Sequence, residues 1–194
     1  MPKYQEKLQT YEALLKKWQG AVNLVSSNTL QDSKKRHFED SLQLADLIPE
    51  NSIVFDLGSG AGFPGMVLAI ARQDLKVSLI ESDTKKCTFL STVSRETQTE
   101  VKIVNQRIED VSRETIPDII TARALASLDK LISYSLPWLE INHDLAMILL
   151  KGGQVDAEIK EAKANYSFDL ERWPSNTGDG FILRLTNIKA QPKT

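Results

Sequence analysis

The sequence predicts an α/β fold, a doubly wound and mostly parallel sheet preceded by an N-terminal helical cap. Three observations predict it. From Ile53 onward, short apolar runs alternate with stretches of helical length, the pattern of repeated βαβ units. The first apolar run, Ile53–Leu57, ends in the glycine-rich turn Gly58-Ser59-Gly60-Ala61-Gly62-Phe63-Pro64-Gly65 and continues into the apolar segment Met66–Ile70. Strand, glycine turn and helix in that order bring backbone against a nucleotide-like ligand. Before the turn the periodicity is helical only. The 194 residues suffice for one domain with a full core, with a cap over 1–48 and a ligand-binding core over 51–189.

The elements follow in order. Tyr4, Leu8, Tyr11, Leu15 and Trp18 are spaced by four and three residues and form one helical stripe. The pattern covers too few heptads for a coiled coil, so it reads as a helix packed on the core. Ser26-Ser27-Asn28-Thr29 is a loop or cap cluster. A second amphipathic helix is expected from about Ser33 to Leu47, with Phe38, Leu42, Ala45 and Leu47 inward, and Pro49-Glu50-Asn51-Ser52 breaks the chain before the first strand. A helix follows over Pro64–Arg72, opened by Pro64 at a first position where the missing N–H costs nothing. Strands are then expected at Val77–Ile80, Val101–Val104, Asp118–Thr121, Leu145–Leu150 and Phe181–Leu185. Helices are expected at Thr84–Thr97, Ser127–Leu139 and Val155–Ala164, with a loose tail after Lys189.

Composition narrows the function. Hydrophobic content of 41% and charged content of 26% are ordinary for a soluble globular protein. A single cysteine rules out an intramolecular disulfide and a cysteine-built metal site, and it fits a reducing cytoplasm. The segment Met1-Pro2-Lys3-Tyr4-Gln5-Glu6-Lys7 has no apolar signal core, and the run Leu145–Leu150 is far too short to span a bilayer. These features predict a cytoplasmic chain with no membrane contact. A net charge of −2 does not by itself indicate nucleic acid, so any such surface has to be a local patch, Lys34-Lys35-Arg36-His37 or Lys85-Lys86.

The glycine turn chooses between cofactors. The dinucleotide fingerprint G-x-G-x-x-G would require glycine at position 63, which is Phe63. The glycines fall instead at 58, 60 and 62, with Asp56 two residues before the first. This D-x-G-x-G-x-G form looks like motif I of the class I S-adenosylmethionine-dependent methyltransferases. A pyrophosphate disfavours a nearby carboxylate, whereas adenosylmethionine, with its amino group and sulfonium, tolerates one. A ligand-free turn is the plain alternative, but alternate glycines cost entropy unless something needs the room.

Other candidate residues stand at strand ends. Glu81 lies about twenty residues past the turn, where this kind of fold reads a ribose through its hydroxyls. Ile108-Glu109 follows the third strand, where a backbone amide and an acid can read an adenine edge. Arg123, after the fourth strand, offers a planar fork for a carboxylate or phosphate, and its small neighbours Ala122 and Ala124 leave its base open. The Asn/Asp-Pro-Pro-aromatic motif of enzymes that methylate exocyclic amino groups is missing there. Cys87 lies inside a helix and reads as a packing residue. His37 and His143, the only histidines, lack metal-ligand spacing, and no metal site is expected. With no general base in view, the acceptor should present a lone pair and hold no proton, as guanine N7 does, so that catalysis is mainly positioning.

On these residues the chain resembles the bacterial small-subunit ribosomal RNA guanine-N7 methyltransferase family, historically called glucose-inhibited division protein B. The resemblance runs through Trp18 to Asn23-Leu24, Arg36-His37-Phe38-Glu39-Asp40-Ser41-Leu42, Asp56–Gly65, Lys85-Lys86, Arg123-Ala124-Leu125-Ala126-Ser127-Leu128 and Leu150-Lys151-Gly152. It implies a class I methyltransferase (Rossmann-like) fold and methyl transfer from S-adenosyl-L-methionine to N7 of a loop guanine in 16S ribosomal RNA. The partner it implies is that RNA or the small ribosomal subunit, met by a monomer. Carried over by position, donor contacts fall on Gly58, Phe63, Ile108, Glu109 and Arg123, to which the ribose argument adds Glu81. Lys35, Arg36, His37 and Lys151 are expected to face RNA. The chain departs from the family at Gln19-Gly20-Ala21-Val22, where basic residues are more usual, which implies a weaker electrostatic grip. The rival readings are a small-molecule methyltransferase, which would ignore charge reversal at Lys34, Lys35 and Arg36, and a non-catalytic nucleotide-binding module.

Overall fold

The computed structural model describes residues 4–26 and 34–191, apart from the side chains of Lys34 and Lys35. Helix α1 (Tyr4–Trp18) is followed by a π-helical segment, Lys34–Glu39, that tightens into the single turn α2 (Asp40–Leu42), and then by a 3-10 turn, Ala45–Leu47. The sheet region runs β1 (Ile53–Leu57), α3 (Gly65–Ala71), β2 (Lys76–Ile80), α4 (Thr84–Glu96), β3 (Lys102–Val104), a 3-10 turn (Ile108–Asp110) and β4 (Ile119–Arg123). It ends with α5 (Leu128–Leu139), β5 (Ala146–Lys151), α6 (Val155–Asn165), β6 (Tyr166–Pro174) and β7 (Phe181–Ala190).

The seven strands lie in the order β3-β2-β1-β4-β5-β7-β6. β1 to β5 pair in parallel, and β7 runs antiparallel between β5 and β6. The order reverses between β1 and β4, so the crossover helices divide between the two faces. On one face α1, α3 and α4 bury Tyr11, Leu15, Met66, Leu68 and Phe89. On the other, α5 and α6 bury Leu131, Ile132, Trp138 and Val155. The register pairs Leu57 with both Ile80 and Ala122, and Arg123 with Leu150, which brings the carboxyl ends of β1, β2, β4 and β5 to one edge. No helix among the described residues is long and apolar enough to cross a membrane.

The structure revises four expectations. β6 was not predicted, although Tyr166, Phe168 and Leu170 alternate with polar residues at the period of a strand. As an edge strand it pairs with β7 alone, and the charges between its apolar groups face outward, which hides it from a hydrophobicity reading. β7 runs on to Ala190 and the Gln191 amide donates to the Asn165 carbonyl, while residues 192–194 of the expected tail lie outside the described residues. The second helix is not regular, and Ser33 lies outside the described residues. Phe38 is buried as expected and Leu42, Ala45 and Leu47 pack half-buried against the same core, while His37, Ser41 and Leu44 are buried in addition. Finally, Pro64 precedes α3 as its cap residue, and the first helical amide is that of Gly65. Ser27, Asn28 and Thr29 of the expected loop cluster lie outside the described residues.

Candidate active site

The carboxyl ends of the strands open on a cleft of about 1020 Å³, where a sheet of this topology binds its ligand. One wall is the turn between β1 and α3. Gly58, Gly60 and Gly62 have φ of 62°, 57° and 96°, a region that favours glycine. They do different jobs. Gly58 and Gly60 line the cleft, and at Gly60 a Cβ would meet nothing closer than 3.8 Å. Gly62 faces inward, where a Cβ would strike the Tyr11 hydroxyl and the side chains of Leu90 and Met66. That hydroxyl donates to the Ala61 carbonyl, which ties α1 to the turn, and burial pushes the Tyr11 phenol well above its ordinary pKa.

Asp56 holds the turn from beneath and is fully buried. Its Oδ2 accepts the Gly65 amide (3.2 Å) and its Oδ1 accepts the Thr121 hydroxyl (2.9 Å). The motif acid therefore caps α3 and bridges β1 to β4. Burial pushes its pKa up to about 6, against the pull of hydrogen bonds from Ser59, Thr121 and Gly65.

Glu81 follows β2 and is nearly buried. Its Oε2 accepts the Gly60 amide (2.9 Å) and its Oε1 accepts the Asp83 amide (2.8 Å). The carboxylate is thus preset on the cleft wall, each oxygen keeping a lone pair for a hydroxyl. Asn105 fixes the same corner by donating to the carbonyls of Glu81 (3.1 Å) and Ser82 (3.0 Å). Ile108 and Glu109 line the cleft in their 3-10 turn, Ile108 half-buried and Glu109 exposed. Cys87 is buried in α4 and its thiol donates to the Glu81 carbonyl, in keeping with a packing role.

The opposite wall differs from expectation. Arg123 is the last residue of β4, and its fork is not open. Nη1 donates to the Arg36 carbonyl (2.9 Å) and lies 3.6 Å from Asp40 Oδ2, while Nη2 donates to His37 Nδ1 (2.6 Å). Its guanidinium carbon sits 5.0 Å from the Phe63 ring centre, a cation–π contact. Phe63 is also stacked on Tyr11 (5.5 Å, 11°) and on His37 (5.0 Å, 27°), so it is a wall held on all sides.

Of the residues expected to face RNA, His37 and Lys151 line the cleft with most of their surface covered. His37 is 6% exposed, and desolvation together with the Arg123 charge lowers its pKa to about 4, so the ring is neutral. Stacking on Phe63 and the bond from Arg123 hold the ring there. The Lys151 ammonium is paired with Glu158 (2.5 Å) and donates to the Ala126 carbonyl (2.8 Å). Arg36 is exposed at the cleft mouth, and the Lys35 side chain lies outside the described residues. At the departure point, Gln19 accepts the amides of Leu24 (3.2 Å) and Val25 (3.1 Å) and so closes the turn after α1.

The family model described as rRNA small subunit methyltransferase G matches residues 4–176. The chain belongs to this family. Two members are the ribosomal RNA small subunit methyltransferase G of Gluconobacter oxydans, 43% identical over 185 residues with 95% of this chain and 94% of that one covered, and its counterpart in Rickettsia prowazekii, 42% identical with 94% of each covered. Among solved structures the chain is similar to M. jannaschii TYW2 in complex with AdoMet (TM-score 0.58, 16% identity, covering 79% of this chain and 74% of that one). An rRNA methylase from Streptococcus thermophilus gives a TM-score of 0.54 at 14% identity, covering 75% and 92%. These likenesses establish the fold, that of the class I S-adenosylmethionine methyltransferases. Sequence reasoning missed Asp40 and Glu158, which line the cleft, and Thr121, which is buried beneath it on Asp56. Asp40 and Thr121 stand beside residues that the sequence singles out, but Glu158 does not, and each meets its partner across the fold.

Proposed function

We propose that this methyltransferase transfers a methyl group from S-adenosylmethionine to N7 of a guanine in a loop of 16S ribosomal RNA, acting as a cytoplasmic monomer. The observation that carries the donor reading is the preset wall of Gly58, Gly60 and Glu81, where two positive-φ glycines remove Cβ atoms beside a carboxylate already fixed by two backbone amides. That wall fits a ribose-bearing ligand. Glu81 would hold the ribose hydroxyls, Ile108 and Glu109 the adenine edge, and Gly58 the backbone approach to the amino acid end. Bound adenosylmethionine supplies an electrophilic methyl on a sulfonium, released as the sulfur becomes a neutral thioether.

The cleft supports an acceptor that needs no base. His37 uses its Nδ1 lone pair on Arg123, and His143 is exposed in a distant turn. Guanine N7 already presents a lone pair, so orientation and exclusion of water carry the catalysis. Arg123 fixes the wall that the reacting groups meet, and Arg36 at the mouth attracts phosphate.

The test is methyl transfer from labelled donor to small-subunit RNA lacking the modification, with nucleosides identified by mass spectrometry. New 7-methylguanosine, lost in Gly58→Asp, is the expected result. Donor binding without methylation of the free RNA would discard that substrate and move the search to the assembled subunit or a small molecule, and activity unchanged by Arg36→Glu would favour the small molecule.

A further inference from the structure

A lysine–glutamate pair closes the β5 end of the cleft. Lys151 ends β5, and its Nζ lies 2.5 Å from Glu158 Oε2 while donating to the Ala126 carbonyl. Glu158 stands in the first turn of α6, and the same Oε2 accepts the Leu128 amide at 2.8 Å. The side chains are 7% and 25% exposed, and both residues line the cleft. Among the described residues the hydrogen bond and ion pair of this carboxylate both fall on Oε2, which leaves Oε1 for a ligand.

The pair is on the far side of the donor wall. Glu81 and Ile108 stand at the ends of β2 and β3, whereas β4 and β5 lie across β1 from them. Neighbouring strands are about 4.8 Å apart, so the end of β5 is about 10 Å from the end of β1, room for a base beside the donor. Capping α5 and neutralising Lys151 is one use of Glu158. A largely desolvated ion pair is a weak source of stability, however, and this one opens on a ligand cleft.

Its edge chemistry suggests the ligand. The pair presents an ammonium donor next to a carboxylate acceptor. The Watson–Crick edge of guanine runs from an acceptor, O6, to two donors, N1–H and N2–H, and splayed RNA bases are read on that edge. We propose that Lys151 and Glu158 form the specificity-determining site for the acceptor base, with Lys151 donating to O6 and Glu158 Oε1 accepting from N1–H and N2–H. N7, on the adjacent edge, stays uncovered. Adenine reverses the order of donor and acceptor and sets its amino group against the ammonium. This inference rests on the guanine reading above.

The experiment places inosine, which lacks only the 2-amino group, at the position that mass spectrometry maps in the wild-type product. Wild-type enzyme is expected to lose about 10-fold in kcat/KM for the inosine RNA, the worth of a hydrogen bond to a charged group. Glu158→Gln is expected to lose about 10- to 100-fold on guanosine RNA, to show little further inosine penalty, and to keep its donor Kd within about twofold. Equal inosine penalties in wild type and variant would overturn the proposal by making Glu158 purely structural. No inosine penalty in wild type would overturn it without recourse to any variant. A wild-type enzyme that forms no 7-methylguanosine would overturn this proposal and the reading beneath it together, whereas the first two results leave that reading intact.

Discussion

The two walls of the cleft are held in opposite ways. The β1–α3 wall is local, with Asp56 reaching Gly65 nine residues on and with backbone shape set by glycines of positive φ. The wall formed by Arg36, His37 and Asp40 is remote, tied by side chains to Arg123, which is 87 residues from Arg36, and to Ser175, which is 135 residues from Asp40. A local wall fails when a side chain is added where none fits. A remote wall fails when one charge or ring nitrogen is removed. The contrast also has a functional side: the first wall is rigid by construction, while the second is as firm as its tethers.

The largest expected effect breaks the local wall. In Gly62→Ala the new methyl meets the Tyr11 hydroxyl and Leu90 Cδ2 at an already strained φ, and the loss should be about 4 kcal/mol. Gly60→Ala meets open space and should lose only about 1 kcal/mol, the cost of a left-handed residue. Urea denaturation of the two variants checks this. Equal losses would mean that backbone conformation alone sets the wall and that its packing on α1 contributes nothing.

The next effect separates the walls by pH. Asp56, ordinarily at 3.8, sits at about 6, so between these values the folded state keeps a proton that the unfolded chain has released. That group adds about 3 kcal/mol as pH falls through the window. His37, ordinarily at 6.5, sits at about 4, so there the unfolded chain takes up a proton that the folded state refuses, and about 3 kcal/mol is lost as pH falls. In the parent the two trends largely offset. Asp56→Asn should therefore show stability falling between pH 6.5 and 4, and His37→Gln should show it rising between pH 6 and 3.8. Slopes from denaturation at stepped pH decide this, and parallel slopes in both variants would sink the assignment.

What the sequence disclosed follows the same division. The turn from Asp56 to Gly65 is legible because its glycines and the Asp56–Gly65 bond lie within one motif, and the parallel sheet is legible because short, mostly apolar runs alternate with stretches of helical length. The clasp on Arg123 is not legible, since nothing near Arg123 announces that Arg36, His37 and Asp40 will close on its fork. His37 and Lys151 show what residue type alone does not disclose: the fold stacks the first on Phe63 and pairs the second with a helix carboxylate, both at the cleft. β6 escaped because its pattern is carried by alternation rather than by hydrophobicity.

Arg123→Lys should come next in size. A lysine keeps the charge but cannot serve the Arg36 carbonyl, His37 Nδ1 and Asp40 together, nor lie flat over Phe63. A stability loss of about 2 kcal/mol and donor binding weaker by about 10-fold are expected from calorimetry. Unchanged donor affinity would confine Arg123 to holding the wall.

Asp40→Asn should have the smallest effect, and it tests most directly whether the walls are independent. Asp40 Oδ1 accepts the hydroxyls of Ser175 (2.9 Å) and Thr177 (2.8 Å), which anchor the loop between β6 and β7 beside the cleft. The 3.6 Å pair with Arg123 is long, so its loss should cost little. Asparagine keeps an acceptor oxygen for the loop, and the total loss should be about 1 kcal/mol. The informative readout is hydrogen exchange rather than stability. The amide of Asn176, now donated to Gln43 Oε1 at 2.7 Å, should exchange faster, while the amides of Gly62 and Phe63, both donated to the Ser59 carbonyl, should keep their protection. Faster exchange in both places would show that the charge at Asp40 reaches the glycine turn through Arg123 and Phe63, and the cleft would then behave as one cooperative unit rather than as two walls held apart.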